Sequence, residues 1–324
     1  MGLFSIHDLD QATAIVRSLM PATPAYNWPL LSRRAGLQVV VKHENHTPTG
    51  SFKARGGLVY IESLRDSGNM PKGLVTATRG NHGQSVAIGA ARCGIPSLIV
   101  VPEGNSAEKN AAMEAFGGEI VVSGADFDES RERAAQIERD RDYHFIPAFH
   151  QKLVLGVATY AYELFTSHRD LDVVYVPIGM GSGICSLIAV RDLLQIKTDI
   201  VGVVAENAPA FALSFEAGKS ISTPSARTFA DGMACREPLP ESLEIVLNGA
   251  SRVIRVSEDE IASAIRYLYT DTHNLSEGAG AASLAALLKD PGVEKYKKAG
   301  VVLCGGNIDM STFATILGGQ TPKT

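Results

Sequence analysis

GLVTATRGNHGQSVAIGAARCGIPSLIVVP, residues 73–102, contains two apolar runs with a helix-spaced stretch between them. GLVTAT (73–78) and PSLIVVP (96–102) are apolar without alternation, the pattern of strands covered on both faces. NHGQSVAIGAARCG carries its small and apolar residues at helical spacing. Strand, helix and strand in such short compass form a βαβ unit, whose two strands run parallel.

Working outward, the same alternation extends over most of the chain. Further strands are expected at 37–44 (LQVVVKHE), 119–124 (EIVVSG), 172–179 (DVVYVPIG), 200–206 (IVGVVAE), 252–257 (RVIRVS) and 300–306 (GVVLCGG). Helical stretches such as SAEKNAAMEAFGG and SEDEIASAIRYLYTDTH lie between them. The reading is an α/β protein with two open, twisted and mainly parallel sheets. At 324 residues the chain is long for a single core, so two domains are expected. Residues 73–140 form a small α/β unit, and a larger one begins near 172.

Composition narrows the function classes. Hydrophobic residues make up 45% and charged residues 20%, and the net charge is −5 with no basic run, which argues against a nucleic-acid partner. No apolar stretch approaches the roughly 18 residues of a membrane span. The first residues, MGLFSIHDLDQATAIV, contain acids and no long apolar core, so they do not read as a signal peptide. Cys93, Cys185, Cys235 and Cys304 are far apart with no CxxC pair, a pattern of reduced thiols rather than of disulfides or zinc. A cytoplasmic location is expected.

Three glycine-bearing turns stand at the C-terminal ends of expected strands, where open α/β sheets place their ligands. In PIGMGSGICS the chain passes through Gly179, Met180, Gly181, Ser182 and Gly183 into a helix. Converging backbone N–H groups and the helix N-terminus suit a phosphate there, although a plain tight turn explains the glycines equally well. Neither the P-loop spacing nor GxGxxG is present. In TRGNHGQS, Asn81 suits a helix cap, and the same turn offers N–H groups to a carboxylate. His82 reads as a general base or, more plainly, as a structural histidine. Arg79 reads as a bidentate carboxylate anchor or as a solvent-facing side chain. The third turn is LCGGN (303–307).

Lys53, in HTPTGSFKARGG (46–57), follows Phe52 and has small neighbours. A lysine that forms a Schiff base must lose its proton, which a desolvated place beside an apolar ring favours. Amine, phosphate cradle and carboxylate turn together are what a pyridoxal phosphate enzyme requires for its aldehyde, its phosphate and its amino-acid substrate.

HTPTGSFKARGG, TRGNHGQSVAIGAARCG, IGMGSG, TFADGMA and LCGGN follow one another in an order and at spacings that resemble the serine/threonine dehydratase family of pyridoxal-phosphate enzymes, from about residue 20 to about 310. The resemblance implies the fold type II architecture, with a large cofactor-binding domain from 1–48 plus 151–324 and a small domain at 49–150. It implies that Lys53 bonds to the cofactor and then serves as base at Cα. Phe52 would lie on one face of the pyridine ring and Gly232 near the other. Asn81 would bind the phenolic oxygen, and Gly179, Met180, Gly181, Ser182 and Gly183 the phosphate. Cys304 would approach the ring nitrogen; a neutral thiol there weakens the electron sink and favours β-elimination over transamination. Thr78, Arg79, Gly80 and His82 would face the substrate. The implied reaction converts a β-hydroxy amino acid such as L-threonine or L-serine to a 2-oxo acid and ammonia, in a homodimer or higher homo-oligomer.

Departures from the family pattern sharpen the expectation. Related racemases carry a serine where Arg79 stands and use it as a second acid/base; a guanidinium does not deprotonate near neutral pH. Arg79 therefore argues against racemisation and suits a substrate with an extra anionic group, such as 3-hydroxyaspartate. Glu206 and Ala210 match a divalent-cation site, but Ala212 replaces an acidic ligand, so no metal is expected. Trp28 lines the pocket or packs in the core. A β-replacement synthase is the runner-up, although its turn reads TGNTG-like where this chain has TRGNHG. A nicotinamide oxidoreductase leaves Lys53 unexplained, and a metabolite sensor would bind cofactor without turnover. The chain ends at GGQTPKT without a regulatory domain, which suggests a catabolic or specialised role.

Overall fold

A computed structural model describes residues 2–68 and 70–324. Its strands are β1 (Ala25–Asn27), β2 (Gln38–His43), β3 (Leu74–Ala77), β4 (Ser97–Val101), β5 (Gly118–Val122), β6 (His144–Phe145), β7 (Val173–Pro177), β8 (Asp199–Ala205), β9 (Arg252–Val256) and β10 (Lys298–Leu303). The chain divides into two compact units. One holds Ala22–His46 and Tyr160–Thr324 with the N-terminal residues up to Ile6, and the other holds His7–Pro21 and Thr47–Thr159.

In the first unit a sheet of order β1-β2-β10-β7-β8-β9 is parallel throughout except for β1, which pairs antiparallel with β2. The second unit carries an all-parallel sheet of order β5-β4-β3-β6. These two sheets are the α/β architecture expected from the sequence. All eight expected strands form. β1 and β6, at three and two residues, are too short to carry a readable period and were not expected.

Both faces of the second sheet are covered, which explains its unalternating apolar strands. Leu98 and Val100 join Val75, Ala77, Ala134 and Ile137 in one cluster, while Ile99 and Val101 join Ala87 and Met113 in another. Successive strand residues point to opposite faces, so each face needs its own apolar set. The helix Asn81–Cys93 follows β3, and the helix Lys53–Asp66 packs beside it. Gly57 permits that crossing, because a Cβ there would stand 2.1 Å from Ser85 Oγ and 2.7 Å from its backbone oxygen.

In the first unit Lys42, on β2, is buried. Its ammonium donates to Glu163 Oε2 at 2.6 Å and to the Thr23 carbonyl at 2.8 Å, with Glu44 Oε1 at 3.9 Å. Thr23 Oγ1 in turn donates to Glu44 Oε1 at 2.5 Å. Trp28 is half-buried and donates Nε1–H to His43 Nε2 at 2.9 Å, which ties the β1–helix connection to β2.

Candidate active site

In the second unit Lys53 opens its helix, with Phe52 in the cap position. The preceding loop is held by side chain to backbone bonds. Thr47 Oγ1 accepts from Ser51 N at 2.9 Å and donates to the Ser51 carbonyl at 2.7 Å. Ser85, on the helix Asn81–Cys93, donates its hydroxyl to the Lys53 carbonyl at 2.7 Å and anchors the lysine's main chain. The Lys53 ammonium lies 5.1 Å from the centre of the Phe52 ring. An amine against an apolar ring on a pinned backbone has the setting that the sequence anticipates for a nucleophilic lysine.

The turn after β3 lies beside it. Thr78 is buried, and its Oγ1 accepts from Gly80 N at 3.1 Å. Gly80 is the cap of the 13-residue helix, and Asn81 is the first helical residue. Asn81 is therefore not the cap, contrary to expectation, because a glycine there brings no side chain to the N–H groups that follow. A Cβ on Gly80 would stand 3.0 Å from Lys109 Cδ, a contact that the flexible lysine side chain relieves by a small shift. A Cβ on Gly83 would meet Met113 Sδ at 2.3 Å and Thr78 Cγ2 at 2.7 Å. The helix has no acidic residue in its first turn and receives no side-chain cap, which leaves its positive end open to an anion. His82 is buried, and its affinity for a proton is depressed to a pKa of about 3, first by burial and then by the charge of Lys53. The imidazole is neutral at ordinary pH; its Nε2–H points at the Ile146 carbonyl over a long 3.5 Å. It brings no cation to a carboxylate. Arg79 is the exposed residue of this turn.

In the first unit the loop after β7 ends at Gly181, whose φ of +101° is in the left-handed region that glycine tolerates best. The helix Ser182–Leu193 follows, with no acidic residue in its first turn and no side-chain cap. Gly179 lies against the backbone of Gly232: a Cβ would stand 2.1 Å from the Gly232 oxygen. Gly183 is buried but leaves room for a Cβ, which would meet Tyr160 Oη and Val176 Cγ2 at an ordinary contact distance of 3.5 Å. Met180 is half-exposed, and Ser182 is buried. The loop bearing Gly232 is held by Glu258, whose Oε2 accepts from Thr228 Oγ1 and Phe229 N at 3.1 Å each. Cys304 follows β10 directly and is buried.

A family model described as "Pyridoxal-phosphate dependent enzyme" matches residues 16–305. The chain belongs to that family. It is 35% identical over 287 residues to the L-threonine ammonia-lyase of Geobacter sulfurreducens, covering 88% of this chain and 71% of that protein. A solved T.th. threonine deaminase superposes with a TM-score of 0.88 at 30% identity, over 95% of this chain and 99% of that one. A pyridoxal 5'-phosphate-dependent aspartate racemase superposes with a TM-score of 0.91 at 26% identity, over 97% and 98% of the two chains. Within the family, the chain falls in the serine/threonine dehydratase group.

The residues present fit the family's cofactor. Ser51 Oγ, two residues before Lys53, and Gln84 Nε2, on the helix that follows β3, are buried without a hydrogen-bond partner among the described residues, as polar groups that await a ligand do. The glycine loop offers a helix N-terminus free of acids, with no Cβ at Gly179, Gly181 or Gly183 to fill the space a phosphate needs. Each unit groups its own predicted residues: Phe52, Lys53, Thr78, Arg79, Gly80, Asn81 and His82 in one, Gly179–Gly183, Gly232 and Cys304 in the other. Sequence reasoning missed Ser85, which holds Lys53, and Glu277, whose Oε1 lies 4.0 Å from where a Gly232 Cβ would stand. Glu277 N–H donates to the Gly305 carbonyl at 3.1 Å, and a Cβ on Gly280 would stand 2.4 Å from that same oxygen. The glycine-rich run SEGAGAAS was the available signal. Among the described residues no cluster of three metal-ligating side chains occurs, and Ala212 lies buried on its helix.

Proposed function

We propose that this enzyme is an amino-acid ammonia-lyase that converts a β-hydroxy amino acid of the threonine or serine kind to a 2-oxo acid and ammonia. The observation that carries the reading is the pairing of Lys53 with the uncapped, acid-free turn 78–82 in one compact unit: a pinned amine beside a seat for an α-carboxylate. The threonine ammonia-lyase and threonine deaminase likenesses support it.

Pyridoxal phosphate, when bound, supplies a sink for the electron pair of the broken Cα–H bond. Its phosphate would be held by Gly179, Met180, Gly181, Ser182 and Gly183, its phenolic oxygen by Asn81, and its ring faces by Phe52 and Gly232, with Cys304 at the ring nitrogen. Thr78, Gly80 and the backbone at His82 orient the substrate carboxylate. Lys53 takes the proton from Cα. The proton and the β-hydroxyl leave as water, and a second water replaces nitrogen with the ketone oxygen, releasing ammonia. A neutral thiol from Cys304 at the ring nitrogen would not hold a proton there as a carboxylate would, and a weaker electron sink would favour early loss of the β-hydroxyl.

A racemase is the second reading, favoured by the aspartate racemase likeness. Arg79 speaks against it, since a guanidinium is a poor proton donor and acceptor near neutral pH. The test is 2-oxo acid release from L-serine, L-threonine and the 3-hydroxyaspartates, with Lys53→Ala as the control. Lys53→Ala is expected to abolish both turnover and the visible cofactor band; retention of both overturns the assignment. Appearance of the D-enantiomer without 2-oxo acid transfers the weight to racemisation.

The division into a large cofactor-binding domain and a small domain is retained as part of this reading. So are a cytoplasmic location and self-association. Four free cysteines support the first. The exposed apolar side chains Tyr269, Leu275, Met310 and Leu317 support the second, as a surface for another copy of the chain.

A further inference from the structure

Arg79 stands where the electrostatics of its own turn disfavours a cation. It lies two residues ahead of Asn81, at the positive end of a 13-residue helix. Cations are favoured at helix C-termini and disfavoured here. The surroundings add to the cost. Lys53 is close enough for its charge to depress His82, and no acid occupies the first helical turn. Arg79 itself is exposed and makes no hydrogen bond or ion pair among the described residues, whereas Thr78 and Gly80 on either side are buried. A long cationic side chain without a partner, placed between two buried small residues at a ligand-binding turn, breaks a local rule, and such breaks concentrate at functional positions.

An amino-acid substrate brings one α-carboxylate, which the Thr78 hydroxyl and the N–H groups of the helix start are suited to take. The guanidinium remains in excess. We infer that Arg79 reads a second acidic group carried on the substrate's β-carbon, so that among β-hydroxy amino acids the enzyme prefers a dicarboxylic one of the 3-hydroxyaspartate class. Elimination then proceeds as above, with the second carboxylate unchanged and the product a dicarboxylic 2-oxo acid. The reaction rests on the lyase reading; the recognition of charge is a matter of binding and stands apart from it.

The experiment separates the two. L-aspartate and L-asparagine are nearly the same shape, differ in charge, and carry no β-hydroxyl to lose. Their affinities for the cofactor-loaded enzyme are measured by calorimetry in the wild type, Arg79→Ala and Arg79→Lys. Wild type is expected to bind aspartate at least tenfold more tightly than asparagine. Arg79→Ala should weaken aspartate by about 10- to 100-fold, the loss expected for one charge-assisted contact. Asparagine should move by less than about threefold, and Arg79→Lys should retain part of the preference. Equal loss for both ligands would assign Arg79 to the α-carboxylate and overturn the inference, as would the absence of any preference in the wild type. Turnover of L-threonine and 3-hydroxyaspartate is followed alongside. Silence toward both, with the aspartate preference intact, overturns the lyase reading alone.

Discussion

Replacing Gly179 with alanine places a methyl group 2.1 Å from the backbone oxygen of Gly232, about 1.3 Å inside the separation at which ordinary carbon–oxygen contact begins. Neither partner can rotate aside, because both are main chain, so the loop 179–183 must move away from Gly232. Overpacking of this kind costs about 1–3 kcal/mol of folding stability. The same movement displaces the N–H groups proposed to hold the phosphate. A shift of about 1 Å takes a hydrogen bond out of range, and each charge-assisted bond lost is worth about 1.5–3 kcal/mol, or roughly 10- to 150-fold in affinity. The assay is titration of cofactor-stripped protein with pyridoxal phosphate, followed by absorbance, beside urea unfolding of the stripped protein. Gly183→Ala is the control. It lies in a helix, with its nearest neighbours at 3.5 Å, so the stripped fold should be unchanged or gain about 0.5–1 kcal/mol. Gly179→Ala with stability and cofactor affinity both within twofold of wild type would refute the reasoning. So would Gly183→Ala destabilising the stripped fold as much as Gly179→Ala.

Acid should loosen this protein in a calculable way. His82 and His43 have pKa values lowered to about 3 and about 4, each chiefly by burial, whereas an unfolded histidine titrates near 6.5. Below 6.5 the unfolded chain binds protons that the native chain refuses, so stability falls with pH by up to about 1.4 kcal/mol per unit for each group. His82→Gln should flatten the slope of unfolding free energy between about pH 6 and 4 by one such group, and an unchanged slope would show that the imidazole titrates normally. Lys42→Met removes the ammonium that Glu163 and Glu44 face in the interior, an expected loss of about 3–5 kcal/mol at neutral pH. The carboxyls left behind titrate higher, so the native state gains protons on acidification and the deficit shrinks at lower pH; a deficit equal at pH 7.5 and 5.5 would rule that account out. Ser257→Ala breaks the capping box with Glu260 and should lower stability by about 0.5–2 kcal/mol in thermal unfolding, with no loss meaning that the cap is redundant.

The amino-acid sequence by itself determined what depends on near neighbours along the chain. Unalternating Val, Ile and Leu runs placed eight strands, because a strand covered on both faces needs apolar residues at every position. The glycines of TRGNHGQS and PIGMGSG placed two ligand turns, because Gly181 answers a local demand for a left-handed backbone, whereas the room that Gly83 must leave for Met113 arises only on folding. Lys53 stood out for the company it keeps within a dozen residues. Only the tertiary structure decided matters between distant segments. β10 lies between β2 and β7 although it follows β2 by more than 250 residues, and no local period encodes that neighbour choice. Ser85 reaches the Lys53 carbonyl and Gly179 meets Gly232 only once helices and sheets have packed. The neutrality of His82 is likewise a product of burial beside Lys53, which no inspection of HGQS reveals. Propensity and period act over a few residues, whereas contact, burial and charge coupling arise from distances that the chain acquires by folding.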